Sequence, residues 1–241
     1  MNLSVVQLRI AKLIGSLIRP DCWRALSFGV APTIEHLPVL RRLDVDGVID
    51  VGANRGQFSL ACRIAMQQIP IIAFEPIPDE AKTFDAIHGR DRNITLVKCA
   101  LGELRSEATL HLSRNADSSS LLPIGARQSE LFPGTAESGT IKVEVQTLDD
   151  AIPLMSGRRS QLLKLDVQGY ELNVLRGGIQ ALVLCKYVYC ECSEVSLYDG
   201  QALRPEVSAF LQTHGFRESG SFNHQYHRTE LIQADYLYSR D

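Results

Sequence analysis

The 241-residue sequence predicts an α/β fold: a doubly wound, mostly parallel sheet, with an inserted antiparallel β segment and an antiparallel strand near the C-terminus. Three observations lead there. Continuous apolar runs, "GVIDV" and "IIAFEP", alternate with stretches of helical period, as strands buried on both faces and joined by crossover helices require. After an interruption the same rhythm resumes at "QLLKLDV". Inside that interruption, "EATLHLS" and "IKVEVQTL" alternate apolar and polar residues, the signature of half-exposed antiparallel strands.

The elements follow in order. "GVIDV" is the first strand, and after Gly56 the residues Phe58, Ala61, Cys62, Ala65 and Met66 keep helical spacing. "IIAFEP" is a strand stopped by Pro76. Pro78 and Asp79 then open a helix through Ala81, Phe84 and Ile87 that Gly89 closes. "ITLVKCALG" reads as one further strand. Residues 113–140, rich in Ser, Gly and Pro, form a connection long enough to suggest a functional or mobile segment. After the strand "QLLKLDV" comes one helix through Leu172, Leu175 and Ile179, then the strand "KYVYCEC". Leu203, Val207, Phe210 and Leu211 make the last helix, with Gly215 at its C-terminal cap. The tail pairs as two strands across the polar turn "NHQYHRT". The expected division is an N-terminal helical extension over 1–45 and one catalytic domain over 46–241.

Composition narrows the function. A hydrophobic content of 45% and 22% charged residues are ordinary for a globular chain. The formal net charge of -3 gives no electrostatic reason to expect nucleic acid as a partner. No apolar run is long enough to span a bilayer. In residues 1–20, Leu3, Val6, Ile10, Leu13 and Leu17 recur at helical spacing, so an amphipathic helix ending before Pro20 is expected. It packs on the domain, or, with Arg9, Lys12 and Arg19 toward lipid headgroups, makes weak contact with a membrane surface. The absence of a small-residue cleavage site makes it a poor signal peptide. The six cysteines lie in apolar stretches and not in a zinc pattern, which suggests a reducing, cytoplasmic compartment.

Chemistry concentrates at three places. Asp50 ends the first strand, and Gly52, Asn54 and Gly56 frame the turn that follows, where backbone N–H groups can face a ligand. The Gly-x-Asn-x-Gly spacing is not the G-x-G-x-x-G of dinucleotide sites, which argues against an NAD-dependent oxidoreductase. Glu75 ends the next strand, where an acid accepts two ribose hydroxyls of an adenosine-containing ligand. In "LLKLDVQGYELNVLRGG", Asp166 ends a strand two residues after Lys164, Gly169 turns the chain, and Glu171 enters a helix near its N-terminus. If these strands are parallel, the acids share the carboxyl edge of the sheet, the ligand-binding edge of open α/β folds.

In order and spacing, "DVGANRGQFS", "FEP", "CALGE", "TLDD", "LLKLDVQGYELNVLRGG", "YCECSEVSLYDGQ", "FLQTHGF" and "IQADYLYSR" resemble the FkbM-type methyltransferases, over about residues 46–240. The resemblance implies a class I Rossmann-like domain and S-adenosylmethionine as cofactor, with methyl transfer usually to a hydroxyl oxygen. It implies acceptors among glycans, glycolipids and small-molecule secondary metabolites. By position, Asp50, Gly52, Asn54 and Gly56 match the methionine-side turn, Glu75 the ribose acid, and Ala100 and Leu101 the adenine wall. Asp166 matches the acid facing the methyl group. The family often carries glutamate where this chain has Gln168. An amide can neither act as a base nor lend charge to a metal, so Gln168 is left out of the catalytic set and no metal is expected.

A sugar hydroxyl needs a base within hydrogen-bond reach. Asp166 is the first candidate and Glu191, a carboxylate inside the strand "VYCECSE", the second. Glu191 could instead be a structural partner of a group such as Lys164. Glu194 reads as a loop residue, and Glu171 as a helix-start stabiliser. His224 and His227, placed in the last turn, and Ser118, Ser119 and Ser120, in the long connection, could meet the acceptor but are ordinary there. Trp23 reads as an anchor for the N-terminal segment. The alternative from another class is a catalytically silent cofactor- or glycan-binding module.

Overall fold

A computed structural model describes residues 20–155 and 157–240, so the helix expected before Pro20 lies outside the described residues. Helix α1 (Pro20–Ser27), a 3-10 turn (Ile34–His36) and α2 (Leu37–Leu40) lead into the sheet. Trp23 on α1 is among the more exposed large side chains. The sheet then assembles from β1 (Gly47–Val51), α3 (Gln57–Met66), β2 (Ile71–Phe74), α4 (Pro78–His88) and β3 (Ile94–Val97). The insertion comprises β4 (Ala100–Leu101), β5 (Ser106–Ser113), α5 (Ala126–Leu131) and β6 (Glu137–Gln146). The rest is β7 (Gln161–Leu165), α6 (Glu171–Arg176), α7 (Ile179–Leu182), β8 (Cys185–Ser193), α8 (Arg204–Thr213), β9 (Arg217–His227) and β10 (Glu230–Ser239).

The seven-stranded sheet has the order β3-β2-β1-β7-β8-β10-β9. Its β1, β2, β3, β7 and β8 are mutually parallel, and β10 runs against both of its neighbours. A three-stranded sheet, β4-β6-β5, carries the antiparallel β5–β6 pair. This is the doubly wound, Rossmann-like arrangement that the apolar runs predict, with the strand order reversing between β1 and β7. At that reversal the crossovers on either side leave a crevice beyond the strands' carboxyl ends.

Side-chain alternation divides the core. Ile49, Val51, Leu163, Leu165, Val188 and Cys190 face α6, α7 and α8. Val48, Ile71, Leu162, Tyr189 and Leu237 face α2 and α3. Asp50, Lys164 and Glu191 follow the second set by the period of two, so that layer turns polar as the strands reach their carboxyl ends. All six cysteines are free and buried.

Three local expectations are corrected. "ITLVKCALG" is not one strand: β3, a partly exposed edge, ends at Val97, and the chain leaves the sheet to bury Cys99. Ala100 and Leu101 then pair with Val145 and Gln146 in the small sheet. The helix through Leu172 and Ile179 breaks into α6 and α7 at Gly177-Gly178. A Cβ on Gly177 would stand 2.0 Å from the Gly102 carbonyl oxygen, and one on Gly178 2.6 Å from the Leu148 side chain. The long connection between β5 and β6, by contrast, was expected to be a functional or mobile segment, and it carries structure of its own. It holds a 3-10 turn (Ala116–Ser118), a bridge between His111 and Ser120, and α5. His224 and His227 lie in β9 and not in the turn, because the hairpin closes tightly at Arg228-Thr229 with Arg228 in the left-handed region (φ 55°).

The helix break gives a test. Since backbone fills the space beside Gly177, Gly177→Ala should cost about 1–3 kcal/mol or more of stability. Urea unfolding of the variant within about 0.5 kcal/mol of the parent would refute that packing.

Candidate active site

One cavity of about 550 Å³ opens at the carboxyl edge, beyond β1, β2, β7 and β8. On one side Gly52, Asn54, Glu75, Ala100 and Leu101 line it; toward the other stand Asp166 and Glu191. The segment between β5 and β6 covers it, with Ser118, Ser119 and Ser120 in its wall.

The glycine turn is shaped by its neighbours. Gly52, Asn54 and Gly56 all have positive φ (73°, 48° and 89°). A Cβ on Gly52 would stand 1.9 Å from the Asp166 carbonyl oxygen, and one on Gly56 would strike the His88 ring at 2.3 Å. Both glycines therefore allow close packing within the protein, and only Gly52 also borders the cavity. Asn54 tolerates its left-handed backbone because its Oδ1 accepts from the next N–H, that of Arg55, at 2.7 Å.

Glu75 sits just past β2, 4% exposed. Its Oε2 accepts from the Asn54 N–H and its Oε1 from the Ile77 N–H, each at 2.8 Å. Each oxygen keeps a lone pair for a further donor. Burial, opposed by those two N–H groups, pushes its pKa up to about 7. Asp50 is fully buried behind the cavity wall and does not border it. It accepts from the Ser59 hydroxyl at 2.8 Å and pairs with the Lys164 ammonium at 3.2 Å. Lys164 also donates to the carbonyls of Gly52 (2.9 Å) and Val51 (3.3 Å) and lies 3.8 Å from Asp166. Burial alone would lower its proton affinity; Asp50 and Asp166 reverse that, and the ammonium holds its proton above the ordinary lysine value.

Gln168, set aside in the sequence, sits at the centre of the acidic side. Its Nε2 donates to Asp166 Oδ1 at 2.7 Å and to Glu191 Oε2 at 2.8 Å. Its Oε1 accepts from the Tyr198 hydroxyl at 2.8 Å, and its backbone oxygen from Ser120 Oγ at 2.7 Å. Glu191 also accepts from Gln233 Nε2 at 3.0 Å. It has no direct contact with Lys164 among the described residues. Burial, with the charges of Asp166, Asp235 and Glu171, raises its pKa well above the ordinary glutamate range.

The remaining candidates have structural partners. Glu171 accepts from the N–H groups of Val167 and Gly169, each at 3.1 Å, and so stabilises the turn before α6; burial raises its pKa to about 7. Glu194 is held by Arg204 Nε (2.5 Å) and the Tyr236 hydroxyl (2.6 Å). Ser119 Oγ accepts from the Ser113 N–H at 3.1 Å. His224 and His227 stay outside the cavity, whereas their strand neighbour Gln225 borders it.

His36 also borders the cavity, and nothing in the sequence around it signals this. Its Nδ1 lies 3.0 Å from the Tyr189 hydroxyl, which donates to Asp235 Oδ2 at 3.1 Å. Burial lowers its pKa.

Comparison with known proteins places this geometry. The methyltransferase FkbM domain matches residues 50–218, more than half of the chain, and the chain belongs to that family. S-adenosylmethionine is the family's methyl donor. The chain is similar to the methyltransferase sdnD of Sordaria araneosa, 29% identical over 70% of this chain and 73% of that one. It is also similar to the 2-O-methyltransferase NoeI of Sinorhizobium fredii, 25% identical over 64% of this chain and 66% of that one. A third relative is methyltransferase 1 of Beauveria bassiana, 28% identical over 54% of this chain and 57% of that one. Among the described residues no helix is long and apolar enough to cross a membrane.

Lys164→Met keeps the stem of the lysine and strands the Asp50 carboxylate in the interior. It should destabilise the protein by about 3–5 kcal/mol. Denaturant titration giving a loss below about 1 kcal/mol would show that the ammonium is not what balances Asp50.

Proposed function

We propose that this FkbM-type methyltransferase methylates a hydroxyl oxygen of a carbohydrate-containing or secondary-metabolite acceptor. One observation carries the reading: Asp166 and Glu191 present carboxylates to the same cavity as the Gly52–Asn54 turn and Glu75. Amines can react from their neutral form, but a hydroxyl is a poor nucleophile until a base takes up its proton. The name of NoeI, a 2-O-methyltransferase, supports the choice of oxygen. The polar rim of Asn115, Asp117, Ser119, Gln225 and Gln233 suits an acceptor with several hydroxyls. Six buried thiols suit a reducing cytoplasm.

The residues fit the donor. Glu75 retains acceptor capacity beside the turn, as the ribose hydroxyls would need. Thr33 Oγ1 and Gln57 Oε1 are buried without a hydrogen-bond partner among the described residues, and both side chains border the cavity. Gly52, Asn54 and Glu75 would hold the donor from one side, with Ala100 and Leu101 against its base. Bound there, S-adenosylmethionine supplies a methyl group already activated on sulfur. The chain's own work is to exclude water beneath the segment between β5 and β6, to orient the hydroxyl, and to accept its proton at Asp166. Glu191 is the second candidate for that proton. Asp50 acts through Lys164, and Gly56 through its packing on His88.

The reading is tested with donor carrying a labelled methyl group, offered to hydroxyl, amine and thiol acceptors that include glycans and glycolipids. The expected product is a methyl ether. Label found only on nitrogen or sulfur would overturn the oxygen assignment, and no transfer to any acceptor would mark a silent binding module.

Two variants test the residues. Glu75→Ala should weaken donor binding about tenfold or more, since hydrogen bonds to a charged group are lost. Because Glu75 titrates near 7, its ionised, accepting form grows between pH 6 and 8. Donor affinity should rise across that window in the parent, and Glu75→Gln should abolish the rise in calorimetry. Asp166→Asn should keep donor affinity within about threefold while turnover falls about 100-fold or more. Unchanged turnover would remove Asp166 from the role of base.

A further inference from the structure

We propose that Gln168 is a positioning residue that divides two roles between the carboxylates, keeping Asp166 as the proton acceptor and leaving Glu191 to carry a proton. The inference rests on the reading of Asp166 as the base.

An amide presents two chemically opposite ends. Its NH₂ is donor only and its carbonyl acceptor only. The Gln168 amide cannot be turned about, because a reversed amide would set its oxygen against Asp166 Oδ1 and Glu191 Oε2, both within 2.8 Å. It would also cost the amide oxygen its donor, since the single proton of the buried Tyr198 hydroxyl, 2.8 Å from Gln168 Oε1, would turn to the Ser118 carbonyl at 3.1 Å. Each N–H of Gln168 therefore meets one carboxylate and favours the unprotonated form of the oxygen it reaches.

A proton on the pair is thereby directed to Asp166 Oδ2 or Glu191 Oε1. Asp166 Oδ2 lies 3.8 Å from the Lys164 ammonium, and the Asp166 side chain is 39% exposed to the cavity. It has a cation and room for solvent. Glu191 Oε1 has no cation within ion-pair distance; it faces Gln233, whose amide serves a protonated oxygen as well as an ionised one by presenting its carbonyl. Around Glu191 stand Asp166 beyond β7, Asp235 on β10, Glu171 at the start of α6 and Tyr198 after β8, with Lys164 on β7 as a cation that acts on it. Acid groups outnumber cations there, so the proton settles on Glu191. Asp166 keeps Oδ2 open toward the cavity for a hydroxyl proton.

A glutamate at position 168 would put a third carboxylate where the two N–H donors stand. The backbone makes the same point: Gln168 is held at φ 55°, which a non-glycine residue adopts at a cost, with its carbonyl tied to Ser120. The amide side chain is placed by both ends of the residue.

The experiment compares the parent with Gln168→Leu, Gln168→Glu and Tyr198→Phe, reading melting temperature from pH 5 to pH 8 and donor affinity at each pH. The sign follows from linkage. A carboxyl that holds its proton more tightly when folded supports the fold fully below its unfolded value, and that support fades as the pH rises. Without the bridging donors the folded pair can bind a second proton at the acid end, which should steepen this decline. The deficit of Gln168→Leu relative to the parent should thus widen by about 3–6 °C from pH 5 to pH 8. Gln168→Glu should follow the same course, and Tyr198→Phe, which only frees the amide to turn, should do so more weakly. A deficit independent of pH in all three variants would reduce Gln168 to a structural prop and overturn the proposal. With an active acceptor in hand, Gln168→Leu should lower kcat about 100-fold at nearly constant KM and shift the acidic limb of the pH profile. An unshifted limb would equally overturn it. Turnover that survived Asp166→Asn while the widening held would instead overturn the identity of the base and leave the placement of the proton standing.

Discussion

A buried ammonium ties the carboxyl edge of this sheet together. Lys164 reaches from β7 to β1, pairs with Asp50 and donates to the carbonyls that open the glycine turn. Taking either charge out of water alone would cost several kcal/mol; together, with backbone oxygens completing the shell, they offset that cost. The position of the turn relative to Asp166 follows, because both are attached to the same side chain. With Gln168 between Asp166 and Glu191, polar contacts run from Ser59 to Gln233 across four adjacent strands of the sheet. Asp50, Lys164, Glu191 and Gln233 in that row sit on the layer of the sheet that is apolar further back.

That continuity changes the meaning of several residues. Gly52 reads in isolation as a glycine that lets a ligand approach, but its missing Cβ makes room for the Asp166 backbone. Asp50 reads as a ligand-binding acid and serves as the counter-charge that keeps Lys164 in place. Donor side and acid side are thus assembled by one set of contacts, and a change at Asp50 is felt at Asp166 although the two carboxylates share no hydrogen bond.

Much of the fold was legible because its signals are local. Runs such as "GVIDV" and "QLLKLDV" are buried on both faces, and Pro78 and Gly89 bound a helix by their own backbone limits. Glu75 and Asp166 were legible as residues at the carboxyl edge, where the cavity opens, because strand ends are fixed by the same runs. What escaped was long-range. The break in "ITLVKCALG" depends on pairing with β6, and the break at Gly177 on the Gly102 carbonyl, neither of which marks the local pattern. The bridging contacts of Gln168 were not legible from its own chemistry, since its partners Glu191 and Tyr198 lie 23 and 30 residues away. His36 meets Tyr189 across 153 residues, so no motif could announce it.

The family match ends at residue 218, at the start of β9, and β10 lies wholly beyond it. A fragment trimmed to the matched residues would keep the glycine turn and both candidate acids. It would also strip β8 of the strand that pairs with it from Tyr187 to Ser193. The exposed backbone would belong to a strand bearing Val188, Cys190 and Cys192, a flat apolar edge of the kind that templates aggregation. The final hairpin therefore covers an edge as well as walling the cavity, and the sheet is completed only past the residues by which the family is recognised.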